Sequence, residues 1–192
     1  MKLPNYDQVA ASGGESIPMP PAGGYVCRIV DATVFKGDNG KPDKLHVKID
    51  IAEGEFVGCF KKSFDAYQKW KPAAIFRPTI LKDGKVHPFF KSFLETVKQS
   101  NPEFTFNPDD FNEKSLVGKL CGFTFGDKEW EWNGKTGISA TVKYPRSVEK
   151  IRAGDFKIPP FEKLDESKSE ASTEYHAPRK NDDAAVFDDP PF

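Results

Sequence analysis

From Lys44 to Ile51 the chain alternates without a break. Leu45, Val47, Ile49 and Ile51 are apolar, and Lys44, His46, Lys48 and Asp50 between them are polar. A period of two puts the apolar set on one side of an extended chain and the charged set on the other. Such a strand belongs to an antiparallel sheet with one face on a core and the other, here mostly basic, open to solvent. Gly37-Asp38-Asn39-Gly40, just before it, is a strong turn signal.

Tyr25–Lys36, on the other side of that turn, reads as a strand rich in β-branched and aromatic residues (Val26, Ile29, Val30, Thr33, Val34, Phe35) and free of proline. Phe56–Phe64, after Glu53-Gly54-Glu55, is expected to give a third strand. Trp70–Pro88 carries prolines and no sustained period. At Phe89–Ser100 the period changes: Phe89, Phe90, Phe93, Leu94 and Val97 share one helical face, with Pro88 at the start and Asn101-Pro102 as the stop. Strands resume near Leu116, where Cys121, Phe123 and Phe125 alternate with Gly122, Thr124 and Gly126. Asn133-Gly134 is the best short hairpin signal in the chain. The return strand, Ile138–Tyr144, is expected to hold Ile138, Ala140, Val142 and Tyr144 on one face, with Arg146–Ile151 extending it. Asp109-Asp110 reads as a helix N-cap before Phe111.

This pattern predicts a mainly β fold. About five strands with one inserted helix fit an antiparallel five-stranded barrel of the OB-fold type, a common binder of oligonucleotides. Composition alone does not separate it from other α+β or barrel folds. The barrel is expected over residues 22–164. Residues 1–21, with Gly13, Gly14, Pro18, Pro20 and Pro21, are expected to be a flexible arm, and 165–192 a disordered acidic tail.

Charge separates along the chain although the total is only −1. Residues 165–192 hold eight acids and three bases, a net −5; the remaining 25 bases and 21 acids leave the body at +4. A basic body suits an anionic ligand. No run of about 18 apolar residues is present, so no membrane contact is expected. The first eleven residues lack a leader pattern, and the expected location is the cytosol. Cys27, Cys59 and Cys121 form no CxxC pair and read as buried thiols, not zinc ligands. His46, His87 and His176 are far apart, and no phosphate loop or nucleophile motif occurs. No cofactor, metal or catalytic residue is expected.

Single-stranded nucleic acid needs cations along the phosphates and aromatic faces for the bases. Phe60–Phe64, Tyr67–Lys71 and Trp130–Lys135 interleave the two. The candidate DNA-contacting set is Lys44, His46, Lys48, Phe60, Lys62, Trp70, Arg77, Trp130, Trp132, Lys135, Tyr144 and Arg146. Trp130 and Trp132 share a face, with Glu129 and Glu131 on the opposite one.

Asp188-Asp189-Pro190-Pro191-Phe192 places acids before a terminal aromatic, a tip that can dock in a basic-rimmed apolar pocket. It resembles the acidic-Pro-Phe tip of bacterial single-stranded DNA-binding proteins, with Pro190 where that family has an aliphatic residue. The body is similar to phage-encoded single-stranded DNA-binding proteins of Gram-positive hosts. The matching residues are Gly24-Tyr25-Val26 with Arg28-Ile29, Lys48–Glu55, His87–Lys91 and Leu116–Lys119, so the resemblance spans about 24–160 and the tip. It implies sequence-independent single-stranded DNA binding in phage replication or recombination, in the host cytoplasm, with replication and repair proteins as partners of Asp188, Asp189, Pro190, Pro191 and Phe192. A homo-oligomer stays open. So do rival readings: a recombination accessory that promotes annealing, a metal-dependent nuclease, and a tail-bearing adaptor without DNA contact.

Overall fold

The computed structural model describes residues 17–37, 42–67, 73–76, 79–81, 83–132 and 134–164. The described chain is mainly β. Strands β1 (Gly23–Phe35), β2 (Lys44–Ile51), β3 (Ala73–Phe76), β4 (Leu120–Trp132) and β5 (Lys135–Arg146) form one antiparallel sheet in the order β3-β2-β1-β4-β5. Helix α1 (Cys59–Tyr67) lies between β2 and β3, α2 (Pro88–Ser100) between β3 and β4, and α3 (Val148–Arg152) follows β5. The edge strands β3 and β5 approach to within 8 Å between Cα atoms. None of these helices is long and apolar enough to cross a membrane.

The alternation of β2 is realised as read: Leu45, Val47, Ile49 and Ile51 are buried, while Lys44, His46, Lys48 and Asp50 are half-exposed. The buried set joins Cys27, Ile29 and Ala32 of β1 and Cys121, Phe123 and Phe125 of β4 in the main core. Helix α2 closes this core with Phe90, Phe93, Leu94 and Val97, and the Phe93 and Phe123 rings stack at 6.3 Å. Pro88 sits in its first turn, and His87 Nδ1 accepts from the Phe89 N–H at 3.2 Å. All three cysteines are buried free thiols, and burial pushes the Cys59 thiol up to about 11.

Four expectations are corrected. Phe56–Phe64 is no strand: it is a turn followed by α1. Gly54 and Gly58 take positive φ (87° and 71°) and break the extended path. Beyond them Cys59 and Phe60 are buried and Lys61 and Lys62 exposed, a helical arrangement. The Asp50 carboxylate accepts from the Phe60 N–H at 3.1 Å, satisfying one of the orphan donors of that helix start. The third strand is β3, in the stretch that showed no period. Strand β4 begins at Leu120, not Leu116, because 3₁₀ turns over Pro108–Asp110 and Glu113–Leu116 precede it. Their caps are the side chains of Asn107 and Asn112, so Asp109 and Asp110 are inside a turn and do not cap it. Finally, β5 extends only to Arg146 and not through Ile151; Ser147 caps α3 there by accepting from Lys150 N–H.

A second, smaller core lies on the other side of the sheet, where Val148 and Ile151 of α3 meet Val26, Leu120 and Phe156. Close approach here requires glycine. A Cβ on Gly122 would lie 2.4 Å from Ile151 Cγ1 and 2.8 Å from the Arg146 carbonyl oxygen, and one on Gly24 would strike the Phe156 ring. We therefore expect Gly122→Ala to destabilise the fold by about 1–3 kcal/mol through overpacking. Urea unfolding would measure it, and an unchanged midpoint would show that α3 yields freely. Residues 156–164 then run on to β4: Glu162 N–H donates to the Asp127 carbonyl, and Glu129 N–H donates to that of Glu162. Of the expected arm, residues 17–21 are described. They form no regular element, yet Pro20 is buried and the Pro21 carbonyl accepts from Tyr25 Oη at 2.9 Å. The rest of the arm and the whole tail lie outside the described residues.

Candidate nucleic-acid interface

Register decides which side chains meet. Strand β1 carries an irregularity at Val30: Ile29 pairs with Ile49, but Asp31 pairs with Lys48. From there Thr33 faces His46 and Phe35 faces Lys44. The open side of β1–β2 therefore presents Lys44, His46 and Lys48 beside Phe35, Thr33 and Asp31. The Phe35 ring is 51 % exposed and tilts against the His46 imidazole at 5.9 Å between centroids. Lys114, from the turn before β4, reaches the same face and donates to Asp31 Oδ1 at 2.8 Å and to Thr33 Oγ1 at 3.2 Å. Lys48 Nζ is 3.9 Å from Asp31 Oδ2. The hydrogen bond from Lys114, helped by the charge of Lys48, holds the Asp31 carboxyl below the usual carboxylate range.

Three of the expected contacts, Lys44, His46 and Lys48, are thus brought together. Phe60 is not among them. It is 1 % exposed and stacked with Phe125 in the core, so the lysines beside it in sequence point away from it. Lys62 is exposed on α1, a different element. Trp70 and Arg77 lie outside the described residues.

The β4–β5 hairpin holds a second group. Trp130 pairs with Gly137 and Trp132 with Lys135, so both tryptophan positions share a face with Lys135, and Glu129 and Glu131 take the other, as the alternation predicts. The Trp130 ring lies across Gly137: a Cβ there would be 2.5 Å from Trp130 Cζ2. Gly134 turns the chain with φ 71°, while Asn133 lies outside the described residues. Tyr144 departs from expectation. Thr124 pairs with Tyr144 but Phe125 with Val142, leaving Lys143 as the extra residue of a bulge. The bulge swings Tyr144 away from Val142 and Ala140, which pack on the core, onto the opposite side. There the Arg146 guanidinium sits 5.8 Å from its ring centroid. This pair lies beside α3, apart from the β1–β2 group.

Sequence reasoning missed Phe35, Thr33, Asp31 and Lys114. The first three had a signal. Folding two strands about Gly37–Gly40 sets Phe35 opposite Lys44 and Thr33 opposite His46. Lys114 had none, since it arrives from 66 residues beyond Lys48 through a turn capped by Asn112. Comparison of the chain with models of known families and with curated proteins finds no match to either. The function therefore rests on the residues themselves.

Proposed function

We propose that this protein binds single-stranded DNA without sequence preference, and that the acidic tip of its tail recruits replication or recombination proteins. The observation that carries the reading is the open face of β1–β2, where Lys44 and Lys48 flank half-exposed His46 and exposed Phe35, and Lys114 joins them at Asp31 and Thr33. Cations that track phosphates beside a ring that accepts any base are the two requirements for holding a single strand.

The sheet order supports an OB-type barrel as its frame. With β3 and β5 drawn together, the order closes as β1-β2-β3-β5-β4-β1, and α2 falls between β3 and β4. In that fold the β2–β3 face and the loops after β1 and β4 hold oligonucleotides. Here those loops join Phe35 of β1 to Lys44 of β2 and Trp132 of β4 to Lys135 of β5, so Trp130, Trp132 and Lys135 extend the proposed site. Tyr144 with Arg146 is a further stacking pair on β5. The resemblance to phage single-stranded DNA-binding proteins points the same way and suggests a non-enzymatic role protecting replication or recombination intermediates in the host cytoplasm.

Phe35→Ala should weaken oligothymidylate binding by about 1–3 kcal/mol, the worth of one stacked base. Lys44→Gln with Lys48→Gln should instead flatten the salt dependence. Fluorescence anisotropy over a salt series separates the two. Normal affinity in folded Phe35→Ala protein would move the site elsewhere on the sheet.

A further inference from the structure

The basic face of β1–β2 has an acid at its centre. Asp31 accepts from Lys114 Nζ at 2.8 Å and from Thr33 Oγ1 at 3.2 Å, and it stands 3.9 Å from Lys48 Nζ. An isolated carboxylate would repel a polyanion. This one occupies the point on which two ammonium groups and a hydroxyl converge, the donor set that a phosphate oxygen would use. Lys48 and Lys114 are 39 % and 53 % exposed, and Asp31 is 36 % exposed, so the position is open to exchange with an anion from solvent. Phe35 and His46 lie farther along the same face, where a base adjoining that phosphate can rest.

We infer that the Asp31–Lys48–Lys114 cluster is a phosphodiester-binding position in which Asp31 holds the anion site in the free protein and is displaced from both lysines by the bound strand. The inference rests on the single-stranded DNA reading and adds a residue that limits affinity. Asp31 keeps the two ammonium groups in place and cancels one of their charges. Removing its charge while keeping the strand gives the bound phosphate two uncompensated cations where it now meets one net charge.

The test is binding of a fluorescent oligothymidylate to the full chain over a salt series, for wild type, Asp31→Asn and Asp31→Thr. The second replacement is a strand-compatible neutral residue, which guards against misfolding of the first. Both are expected to bind several-fold more tightly than wild type at low salt. Their log–log salt slope should steepen by about 0.7, the counterion release of one more neutralised single-strand phosphate. Lys114→Gln should bind more weakly, with a shallower slope. Wild-type affinity and slope in the folded Asp31 variants, or weaker binding by them, would overturn the inference and leave Asp31 as a brace between β1 and the 113–116 turn. Failure of the wild-type chain itself to retain the oligonucleotide at low salt would overturn the DNA reading as well.

Discussion

Phe192→Ala is expected to remove nearly all binding of the tail to a partner replication or repair protein. Residues 182–192 carry four aspartates and two phenylalanines, and in the proposed complex the Phe192 ring fills an apolar pocket while aspartates meet basic groups at its rim. In so small an interface one buried aromatic supplies most of the affinity. Titrating a labelled peptide of residues 182–192, native and Phe192→Ala, against a helicase or recombination mediator reads the difference. Equal affinities would show that the tail acts only as bulk negative charge. Deleting the same residues should leave DNA affinity equal or higher at low salt, because a tethered segment of opposite charge competes with the strand for the basic face. That gain should fade as salt screens the charges.

The second large effect concerns the core. Phe123→Ala should cost about 3–5 kcal/mol of stability, a large share of what a domain of this size possesses. Phe123 is fully buried, stacked on Phe93, and joins α2 to the middle of the sheet. Its loss opens a cavity between layers that no exposed side chain can fill. Chemical denaturation would measure it. A cost below about 1 kcal/mol would mean that α2 packs loosely on β4.

Period and punctuation made much of this architecture legible. Lys44–Ile51 and Phe89–Ser100 each have a clear repeat bounded by strong turn or stop signals, and each folds as the pattern requires; β4 and β5 pair as a hairpin in the expected register from Trp132 and Lys135 back to Phe125 and Val142. What failed was local geometry that the pattern does not encode. Phe56–Phe64 contains enough aromatic and β-branched residues to imitate a strand, but the positive-φ glycines and the Asp50 carboxylate at the helix start override that preference. Strand β3 is four residues long, too short to show a period. The bulge at Lys143 reverses the side on which Tyr144 emerges, and one-residue irregularities leave no mark in an alternation.

The site was half legible for the same reasons. Lys44, His46 and Lys48 follow directly from alternation, and Trp130 and Trp132 from their shared parity. Phe60 was misassigned because interleaved Phe and Lys read alike on a helix that buries the ring and on a surface that presents it. Phe35 and Asp31 depend on register across a turn. Lys114 depends on tertiary contact alone.

The proposed ligand is a single DNA strand held by stacking and phosphate attraction. The most direct test is a gel shift of the full chain with single-stranded and duplex oligonucleotides of one sequence, at about 50 mM and about 200 mM salt. The single strand should be retained more tightly than the duplex at both concentrations, with affinity falling as salt rises. Equal or better retention of the duplex, or no retention of the single strand at low salt, would contradict it.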